Sequence, residues 1–124
     1  MDPIADLLIT IKNGYMAKKN SVSVPYSKFR LSIAKVLEKE KFVGKTDKVD
    51  KVIEISLLYE NGKPKITHIK KVSKPGLRIY TKSKNIKSTK GGRGATVIST
   101  PHGVMTEKDA RAQKLGGEVI CQVW

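Results

Sequence analysis

The chain has 124 residues, of which 25 are Lys or Arg and 11 are Asp or Glu, leaving a formal net charge of +14. That length suits one compact body or two small modules, and a folded chain of this size buries enough surface to need no external staple. The single cysteine excludes an internal disulfide framework and fits a reducing compartment. Hydrophobic residues make up 39% and are well spread, unlike a disordered basic tail, and no apolar run is long enough to span a membrane. The first residues, with Asp2 and Asp6, do not read as a signal peptide.

The charge is unevenly placed. Residues 1–64 carry twelve basic and eight acidic side chains, whereas residues 65–124 carry thirteen and three. From Lys65 to Arg93 there are ten cations and no acid. Such a field attracts polyanions, with nucleic acid the first candidate and an anionic membrane surface the second. A solvated basic surface accounts for the small excess in the first half but poorly for the large one in the second.

In chain order, Asp2-Pro3 reads as a helix cap followed by proline in the first turn. Ile4, Leu7, Leu8 and Ile11 form its apolar stripe, and Asn13-Gly14 is the expected stop. Ser21–Val24 alternates as a half-buried strand and ends at Pro25. A second helix is expected over Ser27–Lys41, with Phe29, Ile33, Val36 and Leu37 inward. Its Lys28 and Arg30 are either solvated or available to phosphate. Val52–Tyr59 reads as a strand, Asn61-Gly62 as a hairpin turn, and 66–72 as the returning strand. His68 is expected on its surface. Ser73–Gly76 is a turn. Leu77–Tyr80 is a short strand with Arg78 and Tyr80 on one face, and Thr81–Gly94 is a basic loop. Ala95–Thr100 is a buried strand, broken by Pro101–Gly103. Thr106 caps a short helix with Asp109 three residues on, Gly116-Gly117 ends it, and Glu118–Trp124 is a terminal strand that buries Cys121 as an inert thiol.

Chemistry for an enzyme is missing from this pattern. His68 and His102 are the only histidines, and neither stands in a catalytic or metal-ligand spacing with Cys121 or a carboxylate pair. Glu107 and Asp109 suit the positive end of a helix dipole. Neither a P-loop nor a dinucleotide fingerprint occurs, so no catalytic residue, metal or cofactor is expected. Gly91–Gly94 satisfies the GxxG pattern of KH domains, but that motif needs a helix on each side, whereas a Lys-rich stretch precedes it here and a strand follows. Aromatic residues are sparse and not clustered as in a single-strand stacking platform, and neither helix-turn-helix nor zinc-finger spacing is present. Structured RNA, read by shape and a few polar contacts, fits better. A basic nuclease would need an acid–base pair, and a DNA-compacting protein would bind random duplex equally well. Ser99–Thr106 is the segment of most interest. It places small hydroxyls at a strand end, then a glycine turn, then a helix start, an arrangement that serves as a simple connection or presents hydroxyls and N–H groups to phosphate, ribose or a base edge.

Ser99-Thr100 through Gly103-Val104-Met105-Thr106, followed by Gly116-Gly117-Glu118-Val119-Ile120-Cys121, resembles the signature of the bacterial small-subunit ribosomal protein S8 family. Asp2–Gly14 is similar to that family's first helix, and Val72–Tyr80 to its central turn and strand, so the likeness runs the length of the chain in order. The resemblance implies an α+β fold. An N-terminal α/β module over 1–71 (helix-strand-helix-strand-strand) would pack on a C-terminal β-rich, RNA-binding module over 72–124 with one short helix. It implies a structural component of the small ribosomal subunit, cytoplasmic within the ribosome. Such a protein binds a helical element in the central domain of small-subunit rRNA as a primary binder and nucleates assembly of that domain. Neighbouring small-subunit proteins are the further partners, with neither membrane nor DNA. Some members also repress their own operon through an mRNA that mimics the rRNA site.

Carried over by position, Ser99 and Thr100 match the RNA-contacting loop and Gly103 its turn. Gly116, Gly117 and Glu118 match a second stretch beside it, and Arg78 and Tyr80 a strand near the same surface. Lys82, Lys84, Lys28 and Arg30 are the expected phosphate contacts. The chain departs from the family at Pro101, where a second serine is common, and at His102, where a lysine is frequent. Pro101 removes a hydroxyl and a backbone N–H. Glu118, an acid beside RNA, would either accept from a base amino group or order a neighbouring cation.

Overall fold

The computed structural model describes residues 2–86 and 93–124, and its contacts divide the chain into two units, residues 1–67 and 68–124. The fold is mixed α+β. The first unit runs α1 (Pro3–Met16), β1 (Ser21–Pro25), α2 (Lys28–Lys39), β2 (Thr46–Val49), β3 (Val52–Ser56), β4 (Tyr59–Glu60) and β5 (Lys63–Pro64). Asp2 caps α1 by accepting from the Ile4 N–H at 3.0 Å, and Ser27 caps α2 by accepting from the Arg30 N–H at 3.1 Å, so each helix starts where its first orphan donors find an oxygen.

The antiparallel sheet β1-β3-β2 presents Val22, Val24, Ile53 and Ile55 to the core, while Ser23 and Glu54 face out. Leu7, Leu8 and Ile11 of α1 and Ile33, Ala34 and Leu37 of α2 are buried as well. The Tyr15 hydroxyl, also buried, donates to the Phe42 carbonyl at 2.7 Å and accepts from the Leu58 N–H at 3.1 Å. Desolvation of the ring raises its pKa above the usual phenol value, against the Leu58 bond that lowers it. Glu38 Oε1 accepts from both the N–H and the hydroxyl of Thr46, at 3.2 and 2.7 Å, and so ties α2 to β2.

Several local expectations are corrected. Asn13-Gly14 does not stop α1, which continues to Met16. Gly14 is buried within the helix, where a Cβ would strike Val22 Cγ1, so close packing on β1 accounts for the glycine. Phe29 is 38% exposed rather than part of the buried face of α2. Strand β2 was not anticipated, because Thr46–Val49 buries only Thr46 and shows no apolar alternation.

The Asn61-Gly62 turn is present, with both residues at positive φ, but it joins only the two-residue strands β4 and β5. The chain beyond does not return along β3. Ile69–Lys71 forms β6 and pairs instead with the last strand of the chain. The division between the two units lies after Thr67, and residues 69–71 pair with residues 121–123 of the second.

The second unit comprises β6, β7 (Tyr80–Thr81), a 3-10 turn (Ser83–Asn85), β8 (Ala95–Thr100), β9 (Gly103–Thr106), α3 (Glu107–Ala112) and β10 (Gly117–Val123). Strand β10 lies in the middle, with β8 and then β9 on one side and β6 and β7 on the other. The pairing of β10 with β8 shifts register between Val119 and Cys121. Ile86, Ile98 and Ala110, with Met105 against them, form a core cluster under α3. The buried Glu107 accepts from the Thr96 N–H, and Thr106 caps α3 by accepting from the Asp109 N–H at 3.3 Å.

Three expectations shift in this unit. Strand β7 covers Tyr80–Thr81 rather than 77–80. The residues after Gly103 form β9 before the helix begins. Finally, α3 ends at Ala112 with Gln113 as its cap, ahead of Gly116-Gly117. Within the expected basic loop, Ser83–Asn85 is a 3-10 turn and Ile86 is buried; residues 87–92, and with them the first two residues of the GxxG segment, lie outside the described residues.

Candidate nucleic-acid interface

Three stretches far apart in sequence meet on β10. Glu118 is the register partner of Tyr80 on one side and of Ser99 on the other, and Ser99 in turn pairs with Val104. Directly opposed residues of antiparallel strands point to the same face, so Tyr80, Glu118, Ser99 and Val104 form one row across β7, β10, β8 and β9. Tyr80 is 69% exposed at one end of the row. Glu118 Oε2 accepts from Arg78 Nη1 at 3.0 Å, which brings the guanidinium into the same group.

The backbone here is closely fitted. A Cβ on Gly116 would strike the Thr81 carbonyl oxygen, and one on Gly117 would strike that of Ser99. The expected role of these glycines as a helix stop is replaced by close approach: they let β7 and the end of β8 crowd against the start of β10.

The β8–β9 turn is held by Thr100. Its hydroxyl donates to the Gly103 carbonyl at 2.8 Å and accepts from the His102 N–H at 3.1 Å, so its proton is already committed to the turn. Ser99, one residue earlier and only partly buried, has the hydroxyl that lies in the row. Pro101 and His102 occupy the two tip positions, both exposed, and Gly103 follows at φ +121. The proline sits where no ladder bond is needed, since Thr100 pairs with Gly103 across it. Its missing N–H therefore costs the hairpin nothing, and its fixed φ suits the tip.

Lys82 and Lys84 flank and enter the 3-10 turn directly after β7, both exposed. Lys28 and Arg30 belong to the first unit. Lys28 is exposed, whereas the Arg30 guanidinium donates to the carbonyls of Pro3 and Pro25, each at 3.0 Å, and so ties the start of α1 to the end of β1.

The expected turn at Ser73–Gly76 is present beside the row, and the apolar side chains exposed next to it are a feature the sequence pattern does not signal. Between β6 and β7 the chain leaves β10 at Ser73 and rejoins it at Ile79, and Lys74 and Leu77 close a hairpin bridge between. Leu77 is 61% exposed and Ile79 37%. The Ser-Lys-Pro-Gly turn signals this tip, but alternation of side chains along 77–80 misreads it as strand.

On the neighbouring strand positions Cys121 is fully buried, and desolvation pushes its thiol up to about 12 against the lowering effect of Lys71. No group of three or more His, Cys, Asp or Glu among the described residues could hold a metal ion, and no helix among them is long and apolar enough to cross a membrane. Hydroxyls, an arginine and an exposed tyrosine lie along the row, with exposed lysines just after β7.

The family profile described as ribosomal protein S8 matches residues 2–124. The small ribosomal subunit protein uS8 of Roseiflexus castenholzii is 47% identical over 128 residues, covering 99% of this chain and 97% of the relative. The protein of the same name from Syntrophomonas wolfei is likewise 47% identical with the same coverage, and that of Thioalkalivibrio sulfidiphilus is 48% identical over 126 residues, covering 98% and 96%. The family is one of structural ribosomal proteins, not of enzymes, and with its profile matched from residue 2 to the last, this chain belongs to the ribosomal protein S8 family.

Proposed function

We propose that the chain is a structural component of the small ribosomal subunit that binds a helical element in the central domain of its rRNA and nucleates assembly of that domain. The observation that carries this reading is the row on β10, where Tyr80, Glu118 and Ser99 converge from three separate stretches with Arg78 beside them. In this reading Ser99 and the tip at Pro101–Gly103 meet base edges and ribose, while Arg78, Lys82 and Lys84 meet phosphate. Thr100, Gly116 and Gly117 contribute by shaping the backbone of that face. Lys28 and Arg30 are proposed as phosphate contacts of the first unit. Within the subunit, neighbouring ribosomal proteins are the remaining partners. A messenger RNA folded into the same shape would compete for the same face, which is how operon repression would arise.

A salt-titrated competition tests the proposal. The protein is offered a helical fragment of central-domain small-subunit rRNA against an unrelated hairpin of equal length. A preference of about a thousandfold or more that survives rising salt supports specific readout. Equal binding that collapses with salt reduces the protein to a general polyanion binder and refutes the proposal.

A further inference from the structure

Glu118 has the wrong sign for its place. No acid occurs between Lys65 and Arg93, yet a carboxylate stands at the middle of the row formed with Tyr80 and Ser99. An unpaired carboxylate there would repel a polyanion. Glu118 is paired: its Oε2 accepts from Arg78 Nη1 at 3.0 Å, and its side chain is 17% exposed against 55% for Arg78. The sheltered carboxylate is thus the fixed member and the arginine the outward one.

The backbone that carries Arg78 is fixed too. The Ile79 N–H donates to Ser73 Oγ at 2.9 Å, the Val119 N–H donates to the Ile79 carbonyl at 2.8 Å, and Ser73 itself is buried. An arginine held at its root and by a sheltered carboxylate has lost much of its rotamer freedom before any ligand arrives, so less remains to be lost on binding. A half-exposed ion pair adds little to folding stability, so the consequence of this geometry lies in binding.

We propose that Glu118 is a positioning residue: its carboxylate holds the Arg78 guanidinium beside the Tyr80–Ser99 row so that the guanidinium meets folded RNA in one register. The inference rests on the RNA-binding reading above and chooses, for Glu118, the ordering of a cation over direct contact with a base. It carries an unusual sign. Removing an acid from a polyanion-binding face should tighten binding of every RNA, whereas removing a positioning acid should loosen the cognate RNA alone.

The test uses the full chain with Glu118→Gln, Arg78→Ala, the double variant, and Arg78→Lys, which lies on the exposed side of the pair and keeps the charge without the fork. In the free protein, nitrogen relaxation of the Arg78 guanidinium is expected to report a more mobile side chain in Glu118→Gln. In the competition assay, Glu118→Gln and Arg78→Lys are each expected to lose about tenfold in preference for the rRNA fragment. Binding of the unrelated hairpin should stay equal or tighten in Glu118→Gln. In the Arg78→Ala background, Glu118→Gln should change the preference less than about twofold. The proposal is overturned if Glu118→Gln tightens both RNAs alike, if its loss is undiminished without Arg78, if Arg78→Lys keeps the full preference, or if the mobility of Arg78 is unchanged. Should the wild-type protein show no preference, the RNA-binding reading fails by itself, and the relaxation measurement still decides whether Glu118 holds Arg78.

Discussion

Gly117→Ala puts the close fit of the row to the test. Gly117 has no positive φ, so alanine can adopt its backbone conformation, and the cost is one of space. An added Cβ would lie 2.8 Å from the Ser99 carbonyl carbon and 3.1 Å from Thr100 Cα, and would strike the Ser99 oxygen itself. All of these are backbone atoms of a paired strand, with no flexible side chain to swing aside. Overpacking of this kind costs about 1–3 kcal/mol, and the upper half of that range is expected because β8 and β10 must part. Urea unfolding reads the loss as a lower midpoint with an unchanged slope. The same displacement moves Ser99 away from Glu118, so cognate RNA binding should fall by at least about tenfold while non-specific binding holds. Gly62→Ala is the control. Its φ is +78 with nothing within 4 Å, so it should cost about 1–2 kcal/mol from backbone conformation alone and leave RNA binding untouched. A Gly117→Ala protein with wild-type midpoint and wild-type cognate affinity would refute the close-approach argument.

Ser99→Ala and Thr100→Val should separate binding from folding. Ser99→Ala is expected to weaken cognate RNA by about 1–3 kcal/mol with little change in stability, whereas Thr100→Val, losing two hydrogen bonds within the turn, should cost about 1–2 kcal/mol in urea unfolding; the reverse pattern would exchange their roles. Lys82→Ala or Lys84→Ala should weaken all RNAs alike and flatten the salt slope by about 0.7–0.9 per lost phosphate contact, and a change confined to one RNA would contradict that role. Cys121 should resist alkylation at pH 8 in the folded protein and react freely in urea. Its folded pKa of about 12 lies above the usual 9.0, so its contribution to stability is full below pH 9 and is lost as the pH rises through that interval. Rapid labelling of the native protein would contradict its burial.

What could be read without coordinates was local or carried by motif. Asp2, Ser27 and Thr106 announce their helices because a cap is satisfied within three residues. Strands β1 and β8 are legible from apolar residues bounded by Pro25 and Pro101. The resemblance named the segments 78–80, 99–103 and 116–118, and the charge count pointed to a polyanion before any fold was known. The Arg30 guanidinium is also engaged with two backbone carbonyls, which charge alone does not reveal.

Pairing and register belonged to the tertiary structure. Ile69–Lys71 has the composition to return along β3, yet it pairs with a strand fifty residues away, and strand composition does not specify a distant partner. The same holds for the row itself: only the register of β10 against β7 and β8 sets Glu118 between Tyr80 and Ser99, and only that placement brings its carboxylate to Arg78. Charge and motif, being properties of the chain as written, point to a polyanionic partner and to the segments proposed to meet it. Which side chains share one face, and which are consumed in holding the turn, is decided by strand pairing, since a shift of one residue would turn the whole row to the other face.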